Sequence, residues 1–135
     1  MTKSDLLDLT YKINGAAIEV HKYLGPGLLE STYHKCLAFE LNLRNISFNS
    51  ELTIPFQYKG NQLDLNLRCD FLICDVIVIE LKTVEYILPV HEAQILTYMN
   101  ALKVPKGILI NFNVDNLYKH GITTYVNHLY RSLKE

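Results

Sequence analysis

Three side chains near the middle of the sequence, Asp70, Glu80 and Lys82, have the types and spacing to hold a hard divalent cation beside a phosphate. In Val76-Ile77-Val78-Ile79-Glu80-Leu81-Lys82 the two-residue period of a strand puts Val78, Glu80 and Lys82 on one face and Ile77, Ile79 and Leu81 on the other. Both faces begin apolar, the pattern of a central strand covered on both sides, so an acid and an amine emerging at its end are partly desolvated. Two carboxylates with a main-chain carbonyl between them make an oxygen nest suited to Mg²⁺ or Mn²⁺. A nearby ammonium orients water and opposes charge developing on a phosphorane. The plainer explanation is a solvated Glu/Lys pair beside an unrelated aspartate, and an E-x-K triplet alone does not exclude it. The spacing to Asp70 and the buried strand argue for a site.

To share one cation, Asp70 and Glu80 must point to one face of two adjacent antiparallel strands. A two-residue turn at Cys74-Asp75 pairs Asp70 with Ile79 and sends the acids to opposite faces. A three-residue turn centred on Asp75 pairs Asp70 with Glu80, their Cβ atoms about 5 Å apart. Other polar residues sit where they can join them. Glu30, Tyr33 and Leu37, at i, i+3 and i+7, share the inward stripe of a helix, although an acid in a first helical turn is also explained by the helix dipole. Gln94 and Tyr98 lie one turn apart on another helix, where a surface glutamine beside a core tyrosine is an equally good explanation. His21 reads as a packed histidine and His91 as a helix-start residue. His91-Glu92-Ala93-Gln94-Ile95 has Ile where a zincin needs its second histidine.

The elements that must position these groups follow from periodicity. Leu6, Leu9, Ile13, Ala17, Val20 and Leu24 recur at helical steps behind Ser4, a candidate N-cap, and Gly25-Pro26-Gly27 ends that helix. A second helix is predicted over 28–44, with Leu29, Tyr33, Cys36, Leu37 and Leu41 as its apolar stripe. Strands are predicted over 47–54, 56–58, 63–73 and 76–83 as an antiparallel meander with a turn at Lys59-Gly60-Asn61. Pro89 suits the first position of a third helix, in which Val90, Ala93, Leu96, Thr97 and Ala101 continue at helical spacing to about residue 102. An apolar strand over 106–112, a last strand near 122–126 and a few helical residues complete the chain.

At 135 residues, about half of them apolar, the chain reads as one α/β domain over 1–135 with no repeat or linker. The apolar runs fall short of a membrane span and the N-terminus lacks the layout of a signal peptide, so a cytoplasmic location without membrane contact is the expectation. Cys36, Cys69 and Cys74 suggest buried reduced thiols, being odd in number and without a C-x-x-C pair. A formal net charge of −1 argues against a protein that coats nucleic acid. A nucleic-acid groove is then local, or shared between subunits of a homo-oligomer.

At these residues the sequence resembles the GxxExxY protein family, a branch of the PD-(D/E)XK nuclease superfamily. Gly27-Leu28-Leu29-Glu30-Ser31-Thr32-Tyr33 matches the motif that names the family, and Val78-Ile79-Glu80-Leu81-Lys82, Pro89-Val90-His91-Glu92-Ala93-Gln94 and Asn111-Phe112 look typical of it. The resemblance runs from about residue 11 to 112. It implies a restriction-endonuclease-like α-β-β-β-α-β core with an extra N-terminal helix, a mixed sheet flanked by helices. It implies metal ligands at Asp70 and Glu80, a catalytic lysine at Lys82, a helix-borne acid at Glu30, and roles near metal or nucleic acid for Gln94 and Tyr98. The proline that names the superfamily is absent, Cys69 preceding Asp70. The expected activity is Mg²⁺- or Mn²⁺-dependent hydrolysis of nucleic acid. The alternative is an inactive module of the same fold that binds nucleic acid or a protein partner.

Overall fold

In the computed structural model, which describes residues 1–135, the first helix, α1 (Lys3–Leu24), starts two residues earlier than an N-cap at Ser4 implies. Thr2, not Ser4, is the N-cap: its hydroxyl accepts from Asp5 N–H while the Asp5 carboxylate accepts from Thr2 N–H. Gly25 and Gly27, with φ of 66° and 94°, then turn the chain in a region that costs a side-chain-bearing residue far more. Helix α2 spans Glu30–Leu43 and buries Tyr33, Leu37 and Leu41. Leu29, expected on that stripe, is its extended N-cap and is exposed.

The strands are β1 (Phe48–Thr53), β2 (Phe56–Tyr58), β3 (Asn61–Leu63), β4 (Arg68–Ile73), β5 (Ile77–Lys82), β6 (Lys106–Asn111) and β7 (Ile122–Val126). Helix α3 (Pro89–Leu102) links β5 to β6, with Pro89 at its first position. A π turn (Leu117–Gly121) precedes β7, and α4 (His128–Arg131) ends the fold. Five strands form one mixed sheet in the order β1-β4-β5-β6-β7, in which only β5 and β6 run parallel. The order α2-β1-β4-β5-α3-β6 is the restriction-endonuclease-like core, and α1 is the added helix.

The expected meander is interrupted. The segment 63–73 is not one strand: Asp64 accepts from Asn66 N–H and Asn66 takes φ 56°, so the chain turns there. β2 and β3 therefore pair only with each other, and β4 returns to pair with β1.

Helices cover both faces of the sheet. Ile77, Ile79 and Leu81 pack with Phe71, Ile73, Ile108 and Ile110 against α1 and α2, while Val78, Leu72 and Leu109 pack against α3. The face of α3 differs from the expected one: Ile95, Tyr98 and Met99 are buried, whereas Val90 and Leu96 are exposed. Apolar residues lie around much of this helix, so composition did not select a face. Gly107 did, because it lets α3 close on β6: a Cβ there would lie 2.7 Å from Met99 Sδ and 3.1 Å from the Ile95 side chain. Gln94 and Tyr98 are carried towards the sheet in consequence. No helix is long and apolar enough to cross a membrane.

Candidate active site

The β4–β5 hairpin turns through Cys74-Asp75-Val76, with Cys74 and Asp75 in left-handed conformations, and pairs Ile73 with Ile77, Leu72 with Val78 and Phe71 with Ile79. This is the three-residue turn, and one further step would set Asp70 against Glu80. The ladder ends before that step. In place of main-chain bonds, Asp70 N–H donates to Glu80 Oε1 at 2.9 Å and Leu81 N–H donates to Asp70 Oδ2 at 2.7 Å. Each acid is thus held by the other's strand.

The same position breaks the ladder on the other side. β1 pairs Ser50 with Phe71 and Leu52 with Cys69, but the intervening Glu51 and Asp70 do not pair, and Glu51 has φ 51°. Cys69 and Phe71, two residues apart, lie in the cores on opposite faces of the sheet, so strict alternation fails at Asp70. The left-handed Glu51 and the lost pairing thus fall together beside the point where the two acids meet.

Burial raises both acids, and the Asp70 charge adds to the rise at Glu80. Glu80 is 5% exposed, and burial first, then the Asp70 charge, push its carboxyl up to about 8. Asp70 is also raised by burial, although the Leu81 N–H bond, His34 and Lys82 pull the other way. Asp70 Oδ1 and Glu80 Oε2 take part in none of these hydrogen bonds. The chemistry of this pair fits a hard divalent cation: two partly desolvated carboxylates, each with an oxygen to spare. No third His, Cys, Asp or Glu converges on them to complete a cluster. That number of protein ligands suits Mg²⁺, which keeps several waters.

Lys82 ends β5 on the α3 side, and its Nζ donates to Gln94 Oε1 at 3.3 Å; Gln94 Nε2 in turn donates to the Tyr98 hydroxyl at 3.0 Å. Burial and the nearby Glu80 charge raise Tyr98, which keeps its proton. Asn111, at the end of β6, fixes the chain just beyond Lys82: its Oδ1 accepts from Val84 N–H and its Nδ2 donates to Val84 O. Glu30 opens α2 and makes no hydrogen bond to the other acids, yet burial and the Asp70 charge raise its carboxyl. Tyr33 anchors that helix start. Its hydroxyl donates to Gly25 O and accepts from Leu28 N–H, and its ring stacks on Phe112 at 4.4 Å.

His34 was not singled out by the sequence reading. It lies one turn beyond Glu30, stacks on Phe71 at 4.4 Å, and places Nε2 3.3 Å from both Asp70 O and Ser50 Oγ. The i, i+4 spacing from Glu30 was its only sequence signal. His21 and His91 have structural positions: His21 Nε2 donates to Val114 O, and His91 Nδ1 accepts from Leu88 N–H at the start of α3.

A sequence profile of the PD-(D/E)XK nuclease superfamily matches residues 7–124, most of the chain. The protein belongs to the PD-(D/E)XK nuclease superfamily. No curated protein and no solved structure matches it.

Proposed function

We propose that the protein is a divalent-metal-dependent nuclease of the GxxExxY kind, hydrolysing phosphodiester bonds of nucleic acid at the Asp70–Glu80–Lys82 site. The observation that carries the proposal is the exchange of hydrogen bonds between the Asp70 and Glu80 strands, beside Lys82. Carboxylates in a broken ladder give up strand pairing and hydration, whereas an apolar pair there would keep the pairing and have no charge to desolvate. Asp70 and Glu80 would hold Mg²⁺ or Mn²⁺, and a bound ion supplies Lewis-acid charge at the scissile phosphate. Lys82, steadied by Gln94, places its amine at the same strand end, where it orients the attacking water and opposes charge on the phosphorane. Tyr98 holds the Gln94 amide. Glu30 adds an acid at the start of α2, close enough to Asp70 to feel its charge.

The test is incubation of the purified protein with labelled single- and double-stranded DNA and RNA in Mg²⁺, Mn²⁺ or EDTA, with Asp70→Asn alongside. Cleavage that needs metal and disappears in Asp70→Asn is the expected result. Binding without cleavage under every condition would replace the proposal with the inactive-module reading. Cleavage undiminished in Asp70→Asn would place the activity elsewhere.

A further inference from the structure

We infer that His34 is a positioning residue for the candidate metal ligands, acting on Asp70 through its main chain. The inference rests on the nuclease reading of the site and adds a residue to it. Asp70 lacks the sheet partner that a residue inside a strand ordinarily has, because Glu51 does not pair with it. Its N–H is taken by the Glu80 carboxylate and its carbonyl by the His34 ring. A carbonyl only accepts, so Nε2 carries the proton, donates to Asp70 O, and shares that bond with Ser50 Oγ. The ring is fixed before it makes this bond: it lies flat on Phe71, the next residue of β4, with 16° between the planes.

His34 therefore holds the carbonyl of Asp70, a residue that neither neighbouring strand pairs, and that residue carries the candidate ligand carboxylate. It projects from α2 one turn after Glu30, so a single helix supplies both an acid that feels the Asp70 charge and the donor to the Asp70 carbonyl. A group that orients a ligand in this way changes metal affinity without touching the ion.

Three substitutions separate the parts of this role. His34→Phe keeps a ring on Phe71 and removes the donor, His34→Gln keeps a donor and removes the ring, and His34→Ala removes both. Mn²⁺ affinity is measured by calorimetric titration, and thermal unfolding is followed in EDTA. His34→Phe is expected to melt close to wild type yet bind Mn²⁺ about 10- to 100-fold more weakly, and His34→Gln to recover most of the loss. Affinity in His34→Phe equal to wild type overturns the inference while leaving the metal site standing. So does a loss of Mn²⁺ binding that only tracks lost stability across the three variants. A wild-type protein that takes up no Mn²⁺ overturns the nuclease reading, and the role of His34 with it.

Discussion

Replacing Glu80 by Gln should stabilise the metal-free protein, and the size of the gain should depend on pH. In the unfolded chain this carboxyl loses its proton near 4.5, whereas in the fold it holds the proton up to about 8. Between those values the folded state binds more protons than the unfolded one, so stability is fully present at low pH and falls as pH rises through the window. At pH 7 the unfolded carboxyl has been titrated through about 2.5 units that the folded one has not. At 1.36 kcal/mol per unit the penalty is roughly 3 kcal/mol. Gln keeps the amide oxygen that can accept from Asp70 N–H and has no charge to bury, so Glu80→Gln should escape most of this penalty. In a chain of this length that corresponds to a Tm higher by about 10 °C at pH 7, shrinking towards zero near pH 4.5. The assay is thermal unfolding by circular dichroism at pH 5, 6, 7 and 8 in EDTA, repeated with Mn²⁺. A cation that binds only the folded state at a hundredfold over its Kd adds about 2.7 kcal/mol. Mn²⁺ should therefore lift wild type towards the variant and leave Glu80→Gln nearly unmoved. A wild-type melt flat from pH 5 to pH 8, with no advantage for Gln, would refute the buried, proton-holding Glu80.

Lys82→Ala should bind Mn²⁺ with little loss, since the ammonium opposes the cation's charge, while cleavage falls by about 10²- to 10⁴-fold; parallel titration and single-turnover rates check both. Tyr33→Phe removes the hydroxyl that joins Gly25 O to Leu28 N–H and keeps the stack on Phe112. It should lower unfolding free energy in urea by about 1 kcal/mol and reduce cleavage by misplacing the start of α2.

The legible parts of this fold are those set by local pattern. Pro89 marked the start of α3, the Ile77–Lys82 run marked a strand covered on both sides, and register counting showed that only a three-residue turn brings Asp70 to Glu80. The parts missed are set by distant contacts. Nothing near Glu51 announces its left-handed backbone, because that conformation answers to the break at Asp70 across the sheet. The buried face of α3 depends on Gly107, several residues beyond the helix in sequence and directly beneath it in space. His34 carries no motif of its own; its place becomes visible only when α2 is laid over β4.

The site and the irregularities of the sheet fall together, and the coincidence has a physical reason. An unbroken ladder would satisfy the backbone of β4 and β5 and leave the acids with only each other to face. Ending the ladder at Phe71 and Ile79 frees two N–H groups, and each binds a carboxylate that desolvation would otherwise strand. One bond per carboxylate offsets part of the burial cost and leaves the second oxygen of each uncommitted. The raised Glu80 and Asp70 show that the offset is incomplete. A buried acid beside a half-buried one, both short of hydrogen bonds, is destabilising in the protein alone and well suited to a cation. The break in the sheet is thus the structural means by which two acids can be desolvated and oriented while each keeps an oxygen uncommitted.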